Sequence, residues 1–252
     1  MPPKPLPFSR RLAGALALAL LAGCKPAPPQ TRAPDGQPDT TSPAPAAPAA
    51  KAPIAGPQTA MVALGDSLFA GYGLRPEQAY PLRLAAALQA AGHNVAMVNA
   101  SVSGDTTADG LARLDFTLAS QNPPPAVVLV CLGGNDMLRG LSPAQTRANM
   151  DAILTKLEAR HIKVVLMGML AAPNLGADYA RDFNAIYPAL AARHHAVLVP
   201  FFMKPLVADH ALQLPDHIHP TPAGVEAMVE ASLPAVTRAL PAPTPAAAPA
   251  RP

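Results

Sequence analysis

Short apolar runs recur at intervals between residues 59 and 240, and most of them end at a glycine, an asparagine or a proline. Runs this short are typical of buried strands, whereas helices need longer stretches with a different spacing. The predicted strands are Met61–Leu64, Val95–Val98, Ala126–Leu132, Val164–Met169 and Val197–Val199.

The segments between these runs carry apolar residues at the three- and four-residue spacing of an amphipathic helix. Tyr80, Leu84 and Leu88 share one such face. Ser142 and Pro143 supply a cap and a first turn for another helix. The predicted helices cover 80–91, 107–120, a stretch beginning at 143, 179–194, and 222–240 with a kink or break near Pro234.

The alternation of strands and helices predicts an α/β fold with a parallel sheet covered on both faces. We expect a three-layer αβα sandwich whose five-stranded sheet has the flavodoxin-like order 2-1-3-4-5. In that order, strands 1 and 3 flank the point where a ligand crevice opens at the carboxyl ends of the strands. Ser67 follows strand 1 and Asn135 follows strand 3, so both are expected at this crevice.

Residues 1–23 have the organisation of an export signal, with a basic start, an apolar run and small residues before Cys24. The apolar run, Leu12–Leu21, is too short for an ordinary membrane span. The tetrapeptide Leu21-Ala22-Gly23-Cys24 resembles a bacterial lipobox, which implies that Cys24 is lipidated and becomes the mature N-terminus. Lys25 favours the outer membrane by resemblance to sorted lipoproteins, so we expect an exported protein anchored there and facing the periplasm. A plain secretory signal is the alternative.

Proline and alanine dominate two segments that cannot bury a core. Residues 24–58 are predicted to form an extended, semi-rigid tether, and residues 241–252 a disordered tail. The remaining residues, 59–240, are predicted to form one domain.

Charge and cysteine content exclude several classes of protein. Lys4, Arg10 and Arg11 lie in the export segment, and without these three the 19 basic residues become 16, which balance 16 acidic ones. With no tryptophan and no basic stripe, the chain lacks the features of a nucleic-acid-binding protein.

Once Cys24 is acylated, Cys131 has no partner for a disulfide, and no cysteine has metal-site spacing. We therefore expect no metal and no cofactor.

Candidate chemistry follows from a serine at the end of the first strand. A serine hydroxyl needs an adjacent base to act as a nucleophile, and this base is usually a histidine oriented by a carboxylate. Asp216 and His219 lie three residues apart, so one turn can place carboxylate and imidazole side by side. The backbone amides of Ser67 and Gly104 and the side-chain amide of Asn135 are candidate donors to an oxyanion.

Four blocks of the sequence resemble, in order, those of the SGNH (GDSL) hydrolases: Gly65-Asp66-Ser67-Leu68, Gly104, Gly133-Gly134-Asn135-Asp136 and Asp216-His217-Ile218-His219. The resemblance covers almost all of residues 60–235 and is closest to the bacterial arylesterase, acyl-CoA thioesterase I and lysophospholipase L1 group. It implies that 59–240 is an SGNH hydrolase domain acting on a small acyl ester. It also implies Ser67 as nucleophile, His219 as general base and acid, Asp216 as the residue that orients it, and an oxyanion hole of Ser67, Gly104 and Asn135.

Each candidate has a competing interpretation. Ser67 is also suited to capping a helix, and Gly104 and Asn135 are also suited to tight turns. A metal-dependent phosphoesterase is an alternative because H-x-H pairs chelate metals, and its ligands would come from Asp209, His210, Asp216, His217 and His219. A non-catalytic lipoprotein that binds an acyl or glycan ligand is a third hypothesis.

Two loops are candidates for an apolar groove that holds the acyl chain. Met137–Leu141 follows the third strand and Ala171–Gly176 follows the fourth, so both lie at the expected catalytic end of the sheet. Ordinary loop packing explains any one of these residues equally well. The sequence assigns neither acyl-chain length, nor a preference among esters, thioesters and lysophospholipids, nor an oligomeric state.

Overall fold

The computed structural model describes residues 54–242. The predicted export signal 1–23, the lipidation site Cys24, all but the last residues of the tether and most of the tail lie outside the described residues. The first strand begins at Thr59 and the last helix ends at Thr237.

Five parallel strands form one sheet in the order β2-β1-β3-β4-β5, as predicted. The strands are β1 (Thr59–Gly65), β2 (Val95–Asn99), β3 (Val127–Cys131), β4 (Lys163–Met167) and β5 (Val197–Val199). The fourth strand was predicted to continue to Met169 but ends at Met167. At Gly168 the chain approaches the end of β5 so closely that a Cβ would lie 2.3 Å from the carbonyl oxygen of Pro200. Met169 and Leu170 lie beyond the end of the strand.

Helices cover both faces of the sheet, which gives the expected three layers. They are α1 (Ser67–Ala70), α2 (Tyr80–Ala90), α3 (Thr107–Ala119), α4 (Gly134–Leu138), α5 (Pro143–Glu158), α6 (Ala177–Asn184), α7 (Ile186–Arg193), α8 (Lys204–Ala208) and α9 (Pro222–Thr237). Helix α2 packs against α9 in one layer, while α3, α6 and α7 pack against α5 in the other. The short helices α1, α4 and α8 were not predicted.

Two prolines have effects that differ from the predicted ones. The helix predicted over 179–194 is divided into α6 and α7, because Pro188 has no N–H to donate to the carbonyl of Asn184. Helix α9, in contrast, continues without a break through Pro234. Pro234 and Glu230 are both exposed, so water can satisfy the carbonyl that the proline leaves without a partner. The predicted break near Pro234 therefore does not occur.

An aromatic cluster fixes the helix that follows β1. Phe69 of α1 stacks on Tyr80 with ring centroids 5.1 Å apart, and both rings meet the edge of Phe202. The Tyr80 hydroxyl also lies 2.6 Å from Ser232 Oγ on α9. Aromatic pairs of this kind contribute about 0.5–1.5 kcal/mol each beyond the area they bury. Helix α1, which begins at Ser67, is thus held in place by the packing of Phe69 in this cluster.

Both ends of the described chain meet at the amino ends of the strands. A cavity of about 60 Å³ there is lined by Ala55 and Pro57 from one end and by Leu240 and Ala242 from the other, beside Thr59 at the start of β1. Cys131 lies buried in β3 as a free thiol. Among residues 54–242, no helix has the length and apolar character needed to cross a membrane.

Candidate active site

The turn at the end of β1 exposes Ser67 at the carboxyl edge of the sheet. Gly65 allows this turn, since a Cβ there would lie 2.8 Å from Phe69 Cδ2 and 3.0 Å from the Cys131 carbonyl oxygen. Asp66 caps helix α1, with its Oδ1 accepting a hydrogen bond of 3.1 Å from the amide of Leu68. Ser67 is therefore the first residue of α1 and not its cap, and its hydroxyl is left free for another role.

The loop before α9 brings His219 and Asp216 to this hydroxyl. His219 Nε2 lies 2.8 Å from Ser67 Oγ, and His219 Nδ1 lies 2.7 Å from Asp216 Oδ2. The other oxygen of Asp216 accepts hydrogen bonds of 2.9 Å from the amides of Ile218 and His219. The three side chains form one continuous line of hydrogen bonds, with distances suited to proton transfer from the serine.

Asp216 carries a negative charge at neutral pH. Desolvation raises its pKa, but the hydrogen bonds from the amide and side chain of His219 and from the amide of Ile218 outweigh this effect and lower the pKa to about 2. An ionised carboxylate accepts only, so His219 Nδ1 must be the donor. His219 Nε2 is then free to accept the proton of Ser67.

Gly104 and Asn135 lie at the same edge. Asn135 is in α4, directly after β3, and its Nδ2 donates to the Asp105 carbonyl at 2.9 Å. Gly104 precedes Asp105 and has a φ of 90°, a conformation that favours glycine. Within the described part of the chain, the backbone amides of Ser67 and Gly104 donate no hydrogen bond. Asn135 lines the same pocket as Ser67, and the two backbone amides are without a partner among the described residues.

Buried polar contacts that the sequence analysis missed hold these loops together. Asp136 is fully buried and accepts hydrogen bonds from the Thr107 amide at 2.8 Å, from the Thr107 hydroxyl at 2.5 Å and from Thr146 Oγ1 at 3.3 Å. Arg113 binds Asp105 at 2.6 Å and the Gly65 carbonyl at 3.2 Å. The first set joins α4 to α3, and the second joins the loop of Gly104 to the end of β1.

Asp66 is a second carboxyl at the site, and its environment differs from that of Asp216. It is 2% exposed, and Oδ2 lies 3.5 Å from Asn135 Nδ2. Burial, with smaller contributions from the nearby carboxylates Asp105 and Asp136, raises its pKa from 3.8 to about 7. Asp66 thus holds its proton to much higher pH than an ordinary aspartate does.

Known proteins are similar to this chain in sequence and in fold. The profile of the GDSL-like lipase/acylhydrolase family matches residues 63–227. The chain belongs to this family. Esterase TesA of Pseudomonas aeruginosa is 40% identical over 173 residues, which cover 69% of this chain and 85% of TesA.

Two further acylhydrolases extend the comparison. Thioesterase 1/protease 1/lysophospholipase L1 of Escherichia coli K12 is 41% identical over 160 residues, which cover 64% of this chain and 74% of that protein. The crystal structure of AlinE4, an SGNH-hydrolase family esterase, is 52% identical and has a TM-score of 0.63. The match covers 75% of this chain and all of that one. The chain is thus an esterase-type acylhydrolase, as the sequence motifs implied.

The acylhydrolase site opens into a mainly apolar pocket of about 240 Å³ beside Ser67 and His219. Its apolar lining consists of Leu68, Met137, Leu138, Met169, Leu170, Ala172, Met203 and Ile218. The two predicted groove loops contribute only Met137, Leu138 and Ala172. Met169 was missed because it was assigned to the fourth strand, and Met203 and Ile218 carry no sequence signal of their own.

The candidate metal ligands are not brought together. Asp209 accepts a hydrogen bond from the Ala211 amide at 2.9 Å, and His210 Nδ1 lies 3.0 Å from Gln213 Oε1. His217 lines the pocket, while Asp216 is bonded to His219. Across residues 54–242, no group of three or more histidine, cysteine, aspartate or glutamate side chains is arranged to hold a metal ion.

Proposed function

We propose that this acylhydrolase cleaves carboxylic esters through a covalent acyl-enzyme, with Ser67 as nucleophile, His219 as general base and acid, and Asp216 as the residue that orients His219. The observation that carries the proposal is the line of hydrogen bonds from Ser67 through His219 to Asp216, at 2.8 and 2.7 Å. It lies at the mouth of an apolar pocket of the kind that binds an acyl chain.

In the acylation step, Ser67 Oγ attacks the carbonyl carbon of the ester while its proton passes to His219 Nε2. The π electron pair of the carbonyl moves to its oxygen, which gives a tetrahedral oxyanion. When that intermediate collapses, the bond to the leaving oxygen breaks, and His219 returns the proton to the departing alcohol. General base catalysis of this kind contributes about 10²–10⁴-fold.

The oxyanion would be bound by the amides of Ser67 and Gly104 and by the side chain of Asn135. The two unengaged backbone amides support this assignment, because a donor without an internal partner is available to the substrate at no cost. In deacylation, water takes the place of the alcohol: it loses a proton to His219 and attacks the acyl carbon. The bond between that carbon and Ser67 Oγ then breaks, His219 gives its proton to Oγ, and a carboxylic acid leaves.

The names of the relatives guide the choice of substrates. They include esterase, thioesterase and lysophospholipase, so aryl esters, acyl thioesters and lysophospholipids form the test set. We expect p-nitrophenyl esters to be hydrolysed by wild-type protein and not by Ser67→Ala. A fluorophosphonate should label the wild type and fail to label that variant. Equal hydrolysis rates for the two proteins would refute the proposal.

We also propose that the protein is exported and anchored by a lipid on Cys24, through an outer-membrane attachment joined to the 59–240 domain by the segment 24–58. The support is the export pattern of residues 1–23 and the lipobox resemblance of Leu21–Cys24. Membrane fractionation of cells that express Cys24→Ala should show the protein released from the membrane. Continued membrane association of that variant would contradict the lipid anchor.

A further inference from the structure

A tyrosine outside the proposed triad packs against its imidazole. The ring centroids of Tyr72 and His219 are 4.4 Å apart, with the two planes inclined by 33°. Tyr72 is 53% exposed, so core packing does not explain an aromatic residue there. Within residues 54–242 its hydroxyl makes no hydrogen bond to another side chain, so the contact with His219 is made by the ring.

The backbone on both sides of Tyr72 is built to hold this ring in place. Gly71 and Gly73 have φ values of 82° and 74°, which favour glycine. A Cβ at Gly71 would lie 2.8 Å from Ala79 Cβ, and one at Gly73 would lie 2.8 Å from Leu214 Cδ1. The segment is thus packed closely on both flanks and has little freedom to move the tyrosine away.

One of these flanks belongs to the loop that carries His219. The amide of Leu214 donates a hydrogen bond of 2.7 Å to the carbonyl of His219, and Leu214 is the residue against which Gly73 packs. The amide of Tyr72 in turn donates to the Ser67 carbonyl at 3.2 Å. The segment of Tyr72 and Gly73 therefore connects the backbone of Ser67 to the loop that carries His219.

We propose that Tyr72 is a positioning residue that holds the His219 imidazole in the orientation for proton transfer and stabilises its protonated form. This proposal rests on the proposed function, in which His219 takes the proton of Ser67. Hydrogen bonds to Asp216 at Nδ1 and to Ser67 at Nε2 fix two edges of the His219 imidazole. The ring of Tyr72 covers one of its faces. The electron-rich face of an aromatic ring attracts a cation whose centre is within about 6 Å.

His219 becomes an imidazolium when it takes the proton of Ser67, so the Tyr72 ring attracts it more strongly in the transition state than when the imidazole is neutral. An interaction of that kind raises kcat and leaves substrate binding almost unchanged. For a cation–π contact with a partly exposed ring, removal should lower kcat about three- to tenfold.

The test compares Tyr72→Leu and Tyr72→Phe with the wild type, using p-nitrophenyl acetate for steady-state kinetics and a fluorophosphonate for the rate of covalent labelling. We expect Tyr72→Leu to lose about three- to tenfold in kcat and in labelling rate, with KM within about twofold of wild type. Tyr72→Phe keeps the ring face and should retain at least half of both rates. Phe116→Leu is the matched control, because Phe116 is 79% exposed and is no part of the pocket.

Each other outcome overturns the proposal in a distinct way. A raised KM with unchanged kcat in Tyr72→Leu would make Tyr72 a substrate contact, and an equal loss in Tyr72→Phe would assign the effect to the hydroxyl. Wild-type rates in Tyr72→Leu would show that the stacked ring has no role. Ser67→Ala, measured alongside, separates these results from a failure of the proposed function: if that variant remains active, the error lies in the nucleophile.

Discussion

Asp66 is a buried carboxyl whose ionisation should make the protein less stable as the pH rises. Its pKa is 3.8 in an unfolded chain and about 7 in the folded protein. Between these values the folded state binds a proton that the unfolded state has lost. The free energy of unfolding therefore falls with rising pH across this window, because its slope follows the difference in bound protons. The contribution is fully present below pH 3.8 and is lost above pH 7.

The size of the effect follows from the shift in the pKa of Asp66. A change of about 3.2 units at about 1.4 kcal/mol per unit gives about 4 kcal/mol over the whole window. Between pH 5 and pH 8, where most of the other carboxyls are already ionised, about 2.5 kcal/mol of this remains to be lost. The side chain is 2% exposed, so solvent screening removes little of it.

The substitution Asp66→Asn isolates this contribution. Urea unfolding of wild type and variant at pH 5, 6, 7 and 8 gives two curves of unfolding free energy against pH. We expect their difference to change by about 2.5 kcal/mol, with the wild type losing more stability as the pH rises. Any change in hydrogen bonding at Leu68 or Asn135 shifts the whole curve of the variant by a constant free energy and leaves its pH dependence unchanged. Ser142→Ala, which alters an exposed cap and removes no titratable group, should run parallel to wild type. Parallel curves for Asp66→Asn would refute the reasoning.

Three further substitutions test the site and its support. Asn135→Ala should lower kcat about 10²–10³-fold with little change in KM, measured on p-nitrophenyl acetate, because one oxyanion donor is lost. Asp216→Asn should lower kcat about 10³–10⁴-fold in the same assay. The Oδ1 of Asp216 is held by two backbone amides, so the new NH₂ would face Nδ1 of His219 and favour the wrong tautomer. Gly133→Ala should lower the unfolding free energy by about 2–4 kcal/mol in urea titrations, since φ is 105° and a Cβ would lie 2.2 Å from the Tyr187 hydroxyl. Unchanged kcat in the first two, or unchanged stability in the third, would contradict the corresponding role.

The strands were predictable because the signals that determine them are local, and the order 2-1-3-4-5 followed from the fold class that alternating strands and helices indicate. Each strand is a short apolar run, and the residues that follow β1 and β3 are polar, so Ser67 and Asn135 were placed at one edge from the pattern alone. The pairing of Asp216 with His219 could be predicted for the same reason, since the two lie three positions apart in one turn.

Contacts between distant segments were not predictable in this way. Asp136 and Thr107 are 29 residues apart, and nothing in either local pattern indicates that their side chains meet. The stacking of Tyr72 on His219 depends on two loops that only the completed fold brings together. The strand β4 ends at Met167, two residues earlier than the apolar run suggested, and this difference places Met169 in the pocket.

The cavity where Ala55 meets Leu240 lies at the amino ends of the strands, whereas Ser67 and His219 lie at the carboxyl ends. A molecule fused to either end of the domain is therefore attached at the edge of the sheet opposite Ser67 and His219. Fusion partners, affinity tags or immobilising supports placed at residue 54 or 242 would leave substrate entry unobstructed.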